Sequence, residues 1–223
     1  MKTKILIIGS LALVLGFSAC QNKSSETDGE STSMDMNGGN MMNMDSSMNT
    51  GMMAEMDKMM NSMHRMEMTG NADIDYAMMM KSHHEGAVQM AQVELSSGKD
   101  ESVKNMAQKI SEAQKSEIND LNMFLNSHKE IVKDYDPAKK DEGFAKGMGM
   151  GMNMMMGLPE MGANVSVDQQ FVRMMIPHHQ SAVAMAEEFI KHGKDAKLLA
   201  MARKIIADQK REIEEFEKLK DNQ

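Results

Sequence analysis

From residue 73 onward the chain repeats one hydrophobic rhythm. Tyr76, Met80, His83, Ala87 and Met90 recur at intervals of three and four, as do Phe171, Met175, His178, Ala182 and Met185. Such spacing lays one apolar stripe along an α-helix. Each stretch is followed by a glycine and then by a second helical stripe: Val103, Met106, Ile110 and Leu121, or Leu198, Met201, Ile205 and Phe216. Asp73 and Asp168 stand where the first helices need an N-cap, and Gly98 and Gly193 where those helices need a terminating glycine. Asp100 and Asp195 stand where the second helices need a cap. No segment alternates with the period of a strand. Hairpins with one apolar stripe per helix bury those stripes best against each other, so the expected fold is all-α, a four-helix bundle.

The two hairpins are copies of one another. Sliding the sequence by 95 positions (178 − 83) superposes 73–125 on 168–220 without a gap. Met79-Met80 meets Met174-Met175, His83-His84 meets His178-His179, and Met90-Ala91 meets Met185-Ala186. Gly98-Lys99-Asp100 meets Gly193-Lys194-Asp195, and Gln114 and Glu117 meet Gln209 and Glu212. The body is therefore expected to span 73–223, with repeat one at 73–125, a linker at 126–167 and repeat two at 168–220. The linker carries Pro137, Pro159 and the run Met148-Gly-Met-Gly-Met-Asn-Met-Met-Met156, whose alternating glycines argue for a flexible loop. Inside the third bundle helix, Pro177 precedes His178 where the first copy has Ser82, so the two copies need not be identical.

The N-terminal third follows other rules. Lys2 and Lys4 precede an apolar run over 5–17, shorter than the roughly 20 residues a transmembrane helix needs. This predicts a cleaved signal peptide over 1–19. Cys20, preceded by small residues, resembles the lipobox of bacterial lipoproteins, in which the cysteine becomes the lipidated first residue. The expected location is the cell envelope, lipid-anchored at the outer membrane or the periplasmic face, since Gln21 is not the aspartate associated with inner-membrane retention. Cys20 is the only cysteine, so the mature chain has no intramolecular disulfide. Residues 20–72 contain mainly Ser, Asn, Gly, Asp and Met, too few branched aliphatics to offset chain entropy, and predict a disordered tether. Towards its end Met52, Met56, Met59, Met63 and Met66 fall at helical spacing beside His64, which suits a short amphipathic helix.

Charge and composition then narrow the partners. The formal charge of −8 falls to −10 once Lys2 and Lys4 are removed (−8 − 2), which argues against nucleic acid. Methionine, at 32 of 223 residues, far exceeds what a core of this size requires. Side chains four apart on a helix meet, so Met79 pairs with His83, Met80 with His84, Met174 with His178 and Met175 with His179. Met90 and Met185 lie two turns further along. Thioether sulfur is a soft, uncharged ligand and imidazole suits borderline ions; together they select copper, above all Cu(I), and by the same logic silver. The methionines of the tail and loop add donors suited to low-affinity capture. Viewed singly, Met106 and Met201 fit the core better than a ligand set. Gln114, Glu117, Gln209 and Glu212 are placed either to hydrogen-bond the imidazoles or to form a solvated edge.

The nonapeptides His83-His84-Glu-Gly-Ala-Val-Gln-Met-Ala91 and His178-His179-Gln-Ser-Ala-Val-Ala-Met-Ala186 resemble the shared motif of the bacterial "domain of unknown function 305" family. That resemblance covers residue 73 to the C-terminus. It implies a ferritin-like bundle of two His-His hairpins, and some exported members are regarded as copper-tolerance proteins. It makes His83, His84, His178, His179 and the neighbouring methionines the expected ligands; the long Met-rich insertion departs from the compact family pattern. The function so implied is sequestration or transfer of Cu(I) or Cu(II), with copper-exporting or copper-accepting envelope proteins as partners. A haem-binding bundle with His/Met ligation and a structural or interaction module remain alternatives. A ferritin-like di-iron enzyme needs Glu-x-x-His motifs, which neither copy contains. With no nucleophile–base pair, phosphate loop or paired carboxylates, a metal-binding protein rather than an enzyme is expected.

Overall fold

The computed structural model describes residues 51–157, 161 and 164–221. The signal segment, Cys20, the tether as far as residue 50 and Pro159 lie outside them. Six α-helices follow in order: α1 (Gly51–His64), α2 (Ala72–Ser97), α3 (Glu101–Ser127), α4 (Gly143–Asn153), α5 (Val167–His192) and α6 (Ala196–Asp221), with a 3₁₀ turn at Met154–Met156. Among the described residues there is no strand, and no helix is long and apolar enough to cross a membrane. Helices α2 and α3 form one hairpin and α5 and α6 the other, and α2 against α5 joins the two into a ferritin-like four-helix bundle. The expected stripes face inward: all their members are buried except Met201, which is half-buried.

The two halves lock together through a reciprocal contact that the sequence assigns differently. Asp73 and Asp168 are not the N-caps. Asn71 caps α2 by accepting from the Ile74 N–H at 3.0 Å, and Ser166 caps α5 in a reciprocal box with Gln169. The two aspartates, within the first turn, accept instead from the turn of the opposite hairpin. Asp168 takes the N–H groups of Lys99 and Asp100, both at 2.8 Å. Asp73 takes those of Lys194 and Asp195 at 2.9 and 3.1 Å. A carboxylate there also lies near the positive end of its own helix. Asp100 and Asp195 cap α3 and α6 as the pattern requires.

The terminating glycines serve space rather than handedness. Gly98 and Gly193 have φ of −67° and −66°, open to any residue. A Cβ on Gly98 would lie 2.0 Å from Glu94 Oε1, and one on Gly193 would lie 2.3 Å from the Phe189 ring. Glu94 and Phe189 occupy equivalent places in the two copies (189 − 94 = 95), and Phe189 stacks on Tyr76 with ring centroids 4.0 Å apart.

Both Met-rich segments are more ordered than their composition implies. Helix α1 packs on α2, burying Met52, Met56, Met59 and Met63, as their spacing suggests. The expected loop is in large part helix α4, which packs on α5 and buries Phe144, Met148 and Met152, with Met155 buried just beyond. Two of the glycines that argue against a helix, Gly147 and Gly151, are where it meets its neighbour, while Gly149 faces open space. A Cβ on Gly151 would lie 2.6 Å from Met185 Cγ, and one on Gly147 would lie 2.1 Å from Glu188 Cγ. Tertiary contact outweighs the low helix propensity of glycine. Met52, Met56 and Met59 share their spacing with Met148, Met152 and Met155.

Candidate metal centre

The four motif histidines meet where α2 crosses α5, and all are fully buried. Adjacent residues on a helix point about 100° apart, and the bundle uses both directions. His83 and His178 point to the centre, their rings tilted against each other with centroids 3.8 Å apart. His178 Nε2–H donates to the carbonyl oxygen of His83 at 3.2 Å. His84 and His179 point sideways, towards the second helix of their own hairpin. His84 Nε2 lies 3.0 Å from Glu117 Oε2 on α3, and His179 Nε2 donates to Glu212 Oε2 on α6 at 2.8 Å. Within each motif pair the ring centroids are 6.3 and 5.9 Å apart.

The electrostatics follow from burial. Loss of water holds the His83 imidazole well below its usual pKa, and repulsion from the other histidines adds to this. Burial does the same to His178, again helped by its neighbours. Both rings are neutral at pH 7, the form that binds a metal. Burial alone would raise the Glu117 carboxyl, but hydrogen bonds from His84 and Lys204 outweigh it and hold the group ionised below its usual range.

The residues fit a soft ion. Both nitrogens of His83, and Nδ1 of His84, His178 and His179, are buried without a hydrogen-bond partner, and His84 Nε2 has only its 3.0 Å ion-pair contact with Glu117. On His84 and His179 the other nitrogen faces a carboxylate, which fixes the tautomer that leaves Nδ1 as donor; ligand histidines are commonly held this way. Among the described residues no three His, Cys, Asp or Glu donors are arranged to hold an ion. Thioether sulfur is the other donor type that the motif supplies. Cu(I) is satisfied by such a mixed set, whereas octahedral oxygen-seeking ions are not.

The six candidate methionines are all buried. Met80, Met90, Met174, Met175 and Met185 are fully buried, and Met79 is 2% exposed. Met79 also lines an outer cavity between α1 and α4, and Met185 packs against Gly151 of α4. Of the four polar candidates on α3 and α6, the glutamates reach imidazoles. Gln114 and Gln209 do not; both are buried, with neither amide atom hydrogen-bonded. Pattern reading missed the buried, unpartnered hydroxyls of Tyr76 and Ser181. Tyr76 lies on a stripe that reads simply as core. Ser181 replaces Gly86 of the first copy, and that difference within the motif was its one signal.

A duplicated four-helix bundle with a buried imidazole cluster at its waist defines the class of this protein. The chain belongs to the family described as "Domain of unknown function (DUF305)", whose model matches residues 73–220. Two solved structures share the fold. One is a DUF305 fragment from Deinococcus radiodurans, 22% identical, with a TM-score of 0.51, covering 68% of this chain and 97% of that one. The other is CopM in a silver-bound form obtained by soaking, 23% identical, with a TM-score of 0.51, covering 67% and 95%. No match is found among curated proteins.

Proposed function

We propose that the protein is a lipid-anchored envelope protein that binds copper, sequestering or handing on Cu(I) through its histidine cluster and adjoining thioethers. The observation carrying this reading is the set of four buried imidazoles, the central two neutral and the lateral two held by glutamates, with methionines preceding each His-His pair. An unpaired buried nitrogen costs on the order of 1–3 kcal/mol, so the group of them carried by the four histidines weighs against a purely structural role. The fold shared with CopM, a silver-bound form of which is known, agrees with soft-metal chemistry. Anchoring at Cys20, and copper-exporting or copper-accepting partners in the envelope, belong to the same proposal. Binding through neutral donors needs no catalytic group, so the reading is of a carrier rather than an enzyme.

The test is a titration of the protein with Cu(I) against a chromophoric competitor. Replacing His83, His84, His178 and His179 together by Asn is expected to abolish the tightest site, at least a hundredfold in apparent Kd. Tight binding that survives this replacement contradicts the assignment. A Soret band on adding haem would instead favour His/Met ligation of a porphyrin.

A further inference from the structure

The outer helices enclose a cavity apart from the histidine cluster. Between α1 and α4 lies a cavity of about 360 Å³, and seven of its fifteen lining residues are methionines. Met63, Met66 and Met68 come from the end of α1 and the segment after it. Met148, Met150 and Met152 come from α4, and Met79 contributes from α2. Their burial grades from floor to mouth. Met63, Met79 and Met148 are each 2% exposed, while Met150 is 61% exposed.

One imidazole joins them. His64 lines the same cavity and is itself exposed. Its Nδ1–H donates to the carbonyl oxygen of Met60 at 2.8 Å, which leaves the lone pair on Nε2. The walls are tied down by a network beside the cavity, joined to it through the lining residue Tyr135. Asp75 accepts from the backbone N–H and hydroxyl of Thr69, both at 2.7 Å, from the Gly70 N–H at 2.9 Å, and from the Tyr135 hydroxyl. Gly70, at φ 88°, returns its carbonyl to the N–H groups of Asp134 and Tyr135. Met66 and Met68 are therefore held between α1 and an anchored turn rather than on a loose tether.

We propose that this cavity is a second binding site, for a soft monovalent cation such as Cu(I) or Ag(I), separate from the histidine cluster, with Met63, Met66, Met68, Met148, Met150, Met152 and His64 as its donors. Neither Asp nor Glu lines it, so a hard divalent ion finds no ligand there. Lys140 and Lys146, exposed at the same cavity, further disfavour a doubly charged guest. Neutral sulfur donors, graded from exposed to buried, suit a soft ion that enters from solvent at the exposed thioether and is held by the buried ones.

The probe is Ag(I) in chloride-free buffer, added to the whole chain, with retained metal measured after desalting and methionine methyl signals followed by NMR. Changing the six named methionines to Leu conserves volume and is expected to keep the fold, with helicity by circular dichroism as the check. This variant should lose one retained equivalent of Ag(I) per chain, and the methyl signals of those six residues in the parent should shift together as that equivalent is added. His64→Gln should weaken the same equivalent about tenfold. The variant lacking all four cluster histidines should keep it, so failure of this proposal is distinguishable from failure of the cluster reading. The proposal is overturned if the six-Leu variant retains every equivalent. It is also overturned if the equivalent disappears instead with a matched Leu replacement of Met34, Met36, Met41, Met42, Met44 and Met48.

Discussion

His83 and His178 together are expected to cost the metal-free protein about 3 kcal/mol of folding stability between pH 7.5 and pH 5.5. Burial, then the neighbouring imidazoles, depress both folded pKa values well below 6.5. In the unfolded chain each ring takes up a proton near pH 6.5. A group whose folded pKa is depressed contributes stability that is present above the unfolded value and lost as pH falls towards the folded one. Two such rings give a slope approaching about 2.7 kcal/mol per pH unit once the unfolded chain is fully protonated. Urea unfolding at pH 7.5, 6.5 and 5.5, compared between the parent and a His83→Asn, His178→Asn double variant, isolates the effect. Equal pH slopes in the two proteins would show that the rings are not held neutral.

Glu94 works in the opposite direction. Its carboxyl is pushed up to about 8, first by burial and then by the Asp168 carboxylate beside it. Asp168 stays ionised. Burial alone would raise it, but the backbone N–H groups of Asp100 and Lys99 hold it below the usual range. A carboxyl with a raised folded pKa contributes stability that is full below its unfolded value of 4.5 and is lost as pH rises through about 8. Glu94→Gln is therefore expected to stabilise the protein at pH 8, on the order of 3 kcal/mol after allowing for partial solvent screening, and to change little at pH 4.5. Chemical unfolding at the two pH values decides it. Destabilisation at pH 8 would mean that the ionised carboxylate is satisfied where it stands. The two effects oppose each other between pH 4.5 and 6.5, so each is read from its own variant and not from the parent curve.

How legible the molecule was depended on what carried the information. The hairpins were legible because periodicity and an ungapped duplication both report the bundle interior; Tyr76, Ile110 and Phe216 all fall where their spacing puts them. The histidines were legible as candidates because they are paired and doubled. Their division into a central pair and two lateral rings follows from the 100° step between neighbours. Glutamate rather than glutamine as the imidazole partner did not follow, since Gln114 and Glu117 lie on one edge of α3 and the spacing does not choose between them. The roles of Asp73 and Asp168 were hidden because they depend on the opposite hairpin's turn, a contact with no local signature. Helix α4 was misread because glycine propensity is local, whereas Gly147 and Gly151 are used for close approach to α5. The spacing shared by Met52, Met56, Met59 and Met148, Met152, Met155 was the signal that could have revealed it.

The central claim is that imidazole and thioether act together on one copper ion at the waist of the bundle. X-ray absorption at the copper K-edge, on the protein loaded with one equivalent of Cu(I), addresses it without relying on affinity. The expected spectrum has low coordination, with both nitrogen and sulfur scatterers, and loses its nitrogen shell when His83, His84, His178 and His179 are replaced by Asn. A shell of sulfur alone in the parent, or a spectrum unchanged by those replacements, would contradict the account.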